Sequence, residues 1–140
     1  VLGDGGGSKS VIAVLKDMGA EVIKIASRKQ HGGPFISYEE INGLVGFAGV
    51  VHTSPLGLYP NIDESRMGKK QLANFKIAVD IVYNPLKTKF LGFAEEEGLK
   101  TVKGLYMLVA QAVKAQEIWN DRQFGDEIID RIYKEVGAAL

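Results

Sequence analysis

The first ten residues carry the densest chemistry in the chain. Val1-Leu2 reads as the end of a strand, Gly3-Asp4-Gly5-Gly6-Gly7 as a tight turn, and Ser8 as the opening of a helix. The next apolar residues, Val11, Ile12, Val14 and Leu15, recur at helical spacing. Strand, glycine turn and helix in that order suit the pyrophosphate of a dinucleotide. Gly3 and Gly5 can adopt a positive φ, and without a Cβ the backbone N–H groups of the turn can close on an anion. The helix aims its positive end at the same charge. Ser8 stands where a third glycine is usual, and its small side chain still permits close packing of helix on strand. The plain alternative is a flexible glycine-rich terminus.

A second cluster, Ser27-Arg28-Lys29, lies one strand later. A site that prefers NAD would carry Asp or Glu about 20 residues past the glycines, to hold the ribose 2′-hydroxyl. This chain has no acid there. A guanidinium and an ammonium suit a 2′-phosphate instead, so NADP is expected over NAD. The alternative is a pair of solvated loop charges.

Periodicity and punctuation give the elements that must position these groups. Helix one is expected from about Ser8 to Met18 with Gly19 as its stop, and Glu21 to Ala26 as a strand, together a β-α-β unit. Gln30 to Pro34 is too short for a crossover helix, so the second crossover is expected to shrink to a turn. Phe35 to Ser37 suits a short strand. Ser37 and Glu40 form a capping box for a short helix over Tyr38 to Leu44. Gly49 to Thr53 reads as a buried strand whose C-terminal end turns through Ser54 to Pro60, the edge where open α/β sheets bind ligands. After an irregular polar loop, Asn61 to Gly68, a helical turn is expected at Lys70 to Asn74. Ile77 to Tyr83 suits a strand, and Thr88 caps a helix that carries Phe90, Leu91 and Ala94 and stops at Gly98. The Glu95-Glu96-Glu97 run belongs on a solvated face. Thr101 and Val102 suit a last strand. Leu105, Leu108, Val109, Ala112, Ala115 and Trp119 mark a long helix, and Phe124, Ile128, Ile132 and Val136 the stripe of a final amphipathic one. The fold class is therefore α/β: a Rossmann-like parallel sheet with flanking helices, the second crossover shortened, plus C-terminal helices. Residues 1–104 form the nucleotide-binding domain and 105–140 the C-terminal helices.

The totals narrow the class of function. With 140 residues the chain suits one domain. A formal net charge of +0 gives no argument for a nucleic-acid or membrane-surface partner. The absence of cysteine removes disulfides, zinc-thiolate sites and thiol nucleophiles, and is compatible with a cytoplasmic location. No metal site is expected. No apolar run approaches the roughly 20 residues that span a bilayer, and the start does not read as a signal peptide. The chain begins with Val and its first strand looks short, so it is expected to be part of a longer protein.

Taken together these segments resemble the shikimate dehydrogenases. Gly3-Asp4-Gly5-Gly6-Gly7-Ser8-Lys9-Ser10 resembles that family's glycine loop, and Ser27-Arg28-Lys29 stands where it carries Asn-Arg-Thr. The run from His52 to Pro60 is similar to its Asn-x-Thr-Pro-x-Gly-Met segment. Asp80 to Leu91 is similar to its Asp-x-x-Tyr-x-Pro-x-x-Thr-x-Leu-Leu. Gly104 to Ala112 matches its last functional helix and Trp119 its tryptophan. The resemblance implies NADP-linked reduction of 3-dehydroshikimate to shikimate on the route to chorismate and the aromatic amino acids. By position, Gly3, Gly5, Gly6, Gly7 and Ser8 would surround the pyrophosphate, and Ser27, Arg28 and Lys29 the adenosine ribose phosphate. Thr53, Ser54, Leu58, Gly104 and Met107 would border the nicotinamide and its ribose. Tyr83 and Gln111 would reach the substrate.

Departures from the pattern are Ser27 and His52 in place of Asn, Lys29 in place of Thr, and Gly32 where a second Arg is common. The family's catalytic Lys and Asp lie in an N-terminal substrate domain ahead of the glycine loop. No catalytic residue is assigned in this chain, and the N-terminal domain of the same protein is the expected partner of the last helices. Without it, the stripe Phe124, Ile128, Ile132 and Val136 is expected to be disordered, to self-associate into a homo-oligomer or to fold onto the domain. The alternatives are a quinate/shikimate dehydrogenase of different substrate or cofactor preference, and a non-catalytic nucleotide-binding regulatory module.

Overall fold

The computed structural model describes residues 1–140. Its centre is the short segment at Leu2. The Leu2 N–H donates to the Val51 carbonyl at 2.8 Å, and the Thr53 N–H donates to the Leu2 carbonyl at 3.0 Å. On the other side, the Gly3 N–H donates to the Ala26 carbonyl at 2.9 Å and the Ala26 N–H to the Val1 carbonyl at 2.8 Å. Leu2 thereby bridges in parallel to both Ala26 and His52. It joins β1 (Ile25–Ala26) and β2 (Phe35–Ile36), which pair in parallel, to β3 (Gly49–His52), β4 (Ile77–Asp80) and β5 (Lys100–Val102), also paired in parallel. Across the sheet the order is β2, β1, Leu2, β3, β4, β5. The chain builds outward to one side, then crosses back over Leu2 and builds outward to the other. That reversal is the switch point of a Rossmann-like α/β fold.

The helices keep the expected order with shifted ends. α1 spans Gly6–Asp17, so Gly6 and Gly7 belong to its first turn instead of preceding it. Gly5 is the extended N-cap, and buried Ser8 closes the turn by donating its hydroxyl to the Gly5 carbonyl at 2.6 Å. The second strand is shorter than expected, because its partner β2 has only two residues to pair with it and Val22 is left exposed. No helix links β1 to β2, as the short connection requires. The Ser37–Glu40 capping box forms: the Ser37 N–H donates to Glu40 Oε2 at 2.6 Å, and the Glu40 N–H donates to Ser37 Oγ at 3.3 Å. The box opens onto a four-residue 3-10 turn, Glu40–Gly43, in place of the expected helix.

α2 (Lys69–Leu72) and α3 (Lys89–Glu96) cover one side of the sheet. Leu72, Leu91, Ala94 and Phe90 pack there with Ala78 of β4, all at most 1 % exposed. They belong to a core of 13 buried apolar residues that also takes in Leu2 and Val50. Thr88 caps α3 as expected, its Oγ1 accepting from the Leu91 N–H at 3.3 Å.

The C-terminal helices are α4 (Leu105–Asn120) and α5 (Asp126–Ala139). α4 buries Leu105, Val109, Val113 and Glu117, a stripe of spacing four, while Ala112 and Trp119 face outward. The apolar stripe of α5 is not bare: Ile128, Ile132 and Val136 pack on Leu105, Val109 and Val113 of α4. The stripe is ordered and packs on its neighbouring helix α4. Phe124 lies ahead of α5, at the bend, where its N–H donates to Glu117 Oε1 at 2.8 Å. That bond and the Lys114 ammonium beside it hold the Glu117 carboxyl below the usual range, the Lys114 bond contributing most. No helix is long and apolar enough to cross a membrane.

Candidate functional site

At the switch point the glycine turn lies against the end of β3. Gly3 has φ +109°, a conformation only glycine holds without strain, and a β-carbon there would stand 3.1 Å from Thr53 Oγ1 and 3.5 Å from the Ser54 nitrogen. Thr53 completes the join by donating its hydroxyl to the Leu2 carbonyl at 2.9 Å. One turn along, a β-carbon on Gly7 would meet Ile81 Cδ1 at 2.9 Å, the movable tip of a side chain. Gly5 and Gly6 are different. Nothing lies within 4 Å of a β-carbon built on either, and both are exposed. The amide face at the start of α1 therefore opens on free space at the positive end of a 12-residue helix, a setting suited to a pyrophosphate.

The cationic loop is fixed to this turn by a side chain inside it. Ser27 is 2 % exposed and donates its hydroxyl to Asp4 Oδ2 at 2.7 Å. Ser27 Oγ also accepts the backbone N–H groups of Lys29 at 3.0 Å and Gln30 at 2.9 Å. The hydroxyl is thus fully engaged. Ser27 acts as the scaffold of the loop, and the exposed Arg28 and Lys29 are the groups left free to meet a phosphate. The hydrogen bond from Ser27 holds the Asp4 carboxyl below its usual range, opposed by a smaller desolvation effect. Beyond the loop, the Arg66 guanidinium lies 5.3 Å from the centre of the Tyr38 ring. Burial raises the Tyr38 phenol above its ordinary range, and the charges of Arg66 and Arg28 pull the other way. A second guanidinium is therefore present on this side after all, contributed by the loop before α2 and not by position 32.

On the other side of the switch point stands a buried polar chain. His52 and Asp80 are register partners at the ends of β3 and β4, 1 % and 0 % exposed. His52 Nδ1 lies 3.0 Å from Asp80 Oδ1, and its Nε2 lies 2.6 Å from Ser54 Oγ. Asp80 also accepts from the Val82 N–H at 3.0 Å and from the Thr88 hydroxyl at 2.6 Å. From the sequence, Thr88 reads as a cap and Asp80 only as part of a motif. The signal that could have joined them to His52 is the pairing of two polar residues at the last positions of two otherwise apolar strands.

The remaining expected residues lie on loops and helix starts past the sheet's carboxyl edge. Gly104 is buried at the N-cap of α4, and a β-carbon there would collide with the carbonyls of Ile81 and Val82. Met107 and Gln111 sit one turn apart on an exposed face of α4, and Tyr83 is partly exposed after β4. Leu58 is half-buried in the loop after β3, beside Tyr59, whose N–H donates to the Asn84 carbonyl at 3.1 Å. No group of three or more His, Cys, Asp or Glu is arranged to hold a metal ion.

No family model matches the chain. It is 43 % identical to a shikimate dehydrogenase (NADP(+)) of Clostridium perfringens, over 97 % of this chain and 54 % of that one. It is 30 % identical to a protein of the same name from Crocosphaera subtropica, over 96 % and 54 %. Among solved structures, a chorismate mutase/shikimate 5-dehydrogenase fusion protein from Clostridium acetobutylicum superposes with a TM-score of 0.93 at 39 % identity, covering 99 % of this chain and 53 % of that one. Shikimate dehydrogenase 1 from Peptoclostridium difficile gives 0.89 at 40 % identity, covering 99 % and 52 %. The chain spans about half the length of the curated relatives it matches.

Proposed function

We propose that this chain, which spans about half the length of the shikimate dehydrogenases it is similar to, is the NADP-binding part of such an enzyme, one that reduces 3-dehydroshikimate to shikimate. The observation that carries this reading is the joining of two features. The open amide face of Gly5 and Gly6 adjoins a loop that offers Arg28 and Lys29 and is tied to the same turn through Asp4 and Ser27. A related structure, 26 % identical with a TM-score of 0.78, is described as a complex with NADP(H) and shikimate, from Thermus thermophilus.

In this reading the N–H groups of Gly5, Gly6, Gly7 and Ser8 bind the pyrophosphate, with Gly3 making the turn. Arg28 and Lys29 hold the 2′-phosphate, with Ser27 shaping their loop. Thr53, Ser54, Leu58, Gly104 and Met107 border the nicotinamide half, and Tyr83 and Gln111 meet the substrate. When bound, the cofactor supplies the hydride. The chain's own part is to bind and orient it at the carboxyl edge of the sheet. Residues 1–104 form the nucleotide-binding unit. Residues 105–140 brace the substrate-binding part of the enzyme, which supplies the Lys and Asp that handle the proton.

Titration of the protein with NADP and NAD tests the reading. NADP is expected to bind at least about tenfold more tightly, the worth of one charge-assisted contact. Equal or tighter binding of NAD would remove the role given to Arg28 and Lys29. Oxidation of shikimate against quinate by the full-length protein decides the substrate.

A further inference from the structure

The Asp80–His52–Ser54 chain has a direction, and that direction has a use. Asp80 is a buried acceptor that already takes hydrogens from Val82 and Thr88. Its third partner, His52 Nδ1 at 3.0 Å, must be a donor. His52 is 1 % exposed, with its ring centre 5.3 Å from that of Phe90. With a single proton on the ring, donated to Asp80 from Nδ1, Nε2 is the acceptor and the Ser54 hydroxyl at 2.6 Å is the donor it faces. In that tautomer the Ser54 proton points inward. Its oxygen, grazed by the Leu56 N–H at 3.5 Å, keeps a lone pair for a donor on a ligand.

We propose that the buried Asp80–His52 pair fixes Ser54 as an acceptor at the switch point, so that the site selects the hydrogen-bond-donating carboxamide end of a nicotinamide dinucleotide. Within the proposed function, His52 is thus a positioning residue and Ser54 a specificity residue. The inference rests on the NADP reading, but its first test does not.

The chain has two histidines, and exposed His31 serves as an internal reference. Long-range nitrogen–proton correlation spectra at neutral pH are expected to show His52 protonated on Nδ1 and bare on Nε2. A proton on Nε2 overturns the proposal.

The second test compares NADP with its 3-acetylpyridine analogue, whose methyl ketone has no N–H to donate. The wild-type protein is expected to favour NADP by about tenfold, one hydrogen bond's worth. Ser54→Ala and His52→Asn should each bring that ratio close to one, while adenosine 2′,5′-bisphosphate binds all three proteins alike. That probe also checks that each variant is folded. If the bisphosphate binds and Ser54→Ala discriminates as well as wild type, the inference fails alone. If wild type does not bind the bisphosphate, the NADP reading fails and takes this inference with it.

Discussion

The hydroxyl of Ser27 donates to Asp4 Oδ2 at 2.7 Å, linking the end of β1 to the middle of the glycine turn. With the Gly3 N–H bond to the Ala26 carbonyl and the longer bond from Gln30 Nε2 to the same Asp4 oxygen, the Ser27 bond ties the start of α1 to the cationic loop. Asp4 is held below the usual aspartate value of 3.8, chiefly by this bond. A depressed folded value means that the carboxylate stabilises the fold above pH 3.8, and that this stabilisation is lost as pH falls through the folded value. A carbon-detected titration of Asp4 is expected to show a midpoint below 3.8 in wild type and a return towards it in Ser27→Ala. A wild-type midpoint at or above the usual value contradicts the assignment.

Arg28→Ala is expected to cost about 1.5–3 kcal/mol of NADP binding, one to two decades of affinity, and to leave NAD nearly unaffected. Calorimetric titration with both cofactors measures this. Equal losses for the two would mean that Arg28 meets no 2′-phosphate.

The glycines divide into two classes that separate in experiment. Gly104→Ala forces a β-carbon into the carbonyls of Ile81 and Val82, backbone that cannot swing aside, and is expected to destabilise by about 1–3 kcal/mol or more. Gly6→Ala has open space around it within a helix and should leave stability unchanged or raise it by about 0.5–1 kcal/mol. Chemical denaturation ranks the two variants, and the reverse ranking would refute the packing described at these positions.

Thr88→Val removes both the hydroxyl given to buried Asp80 and the cap on Leu91. The expected loss is about 2–4 kcal/mol, the sum of a charged buried bond and a helix cap. Thr88→Ser should recover most of it, which a change in shape alone would not. Thermal unfolding of the two variants gives the comparison.

Ile132→Ala trims the half-buried contact of α5 on α4 and should cost about 1–2 kcal/mol. The loss is expected in amide exchange of α4 and α5 and not in β3 or β4, because the two apolar clusters are separate.

Much of the fold is legible in the chain itself. Periodicity locates α1, α3, α4 and α5, Thr88 marks the cap of α3, and the short link after Ser27 leaves no room for a crossover helix. These signals are local, so one sequence suffices to read them. The misses depend on what lies across space. Glu21 to Ala26 reads as a full strand, but pairing length is set by the neighbour, and β2 is short. The role of Ser27 turns on Asp4, far away in the chain, and that of His52 on its register with Asp80. No second guanidinium follows Arg28 closely in sequence, and the Arg66 that stands over the Tyr38 ring comes from the loop before α2.

Leu2 has a mechanical consequence. The strands that carry Arg28 and those that carry Ser54 share no ladder except through this residue, so the sheet is two slabs riveted along one seam. A dinucleotide bound as proposed would lie across that seam with one end on each slab. It would then brace the joint from above, and occupancy would be felt as stiffness in strands that touch no part of the ligand.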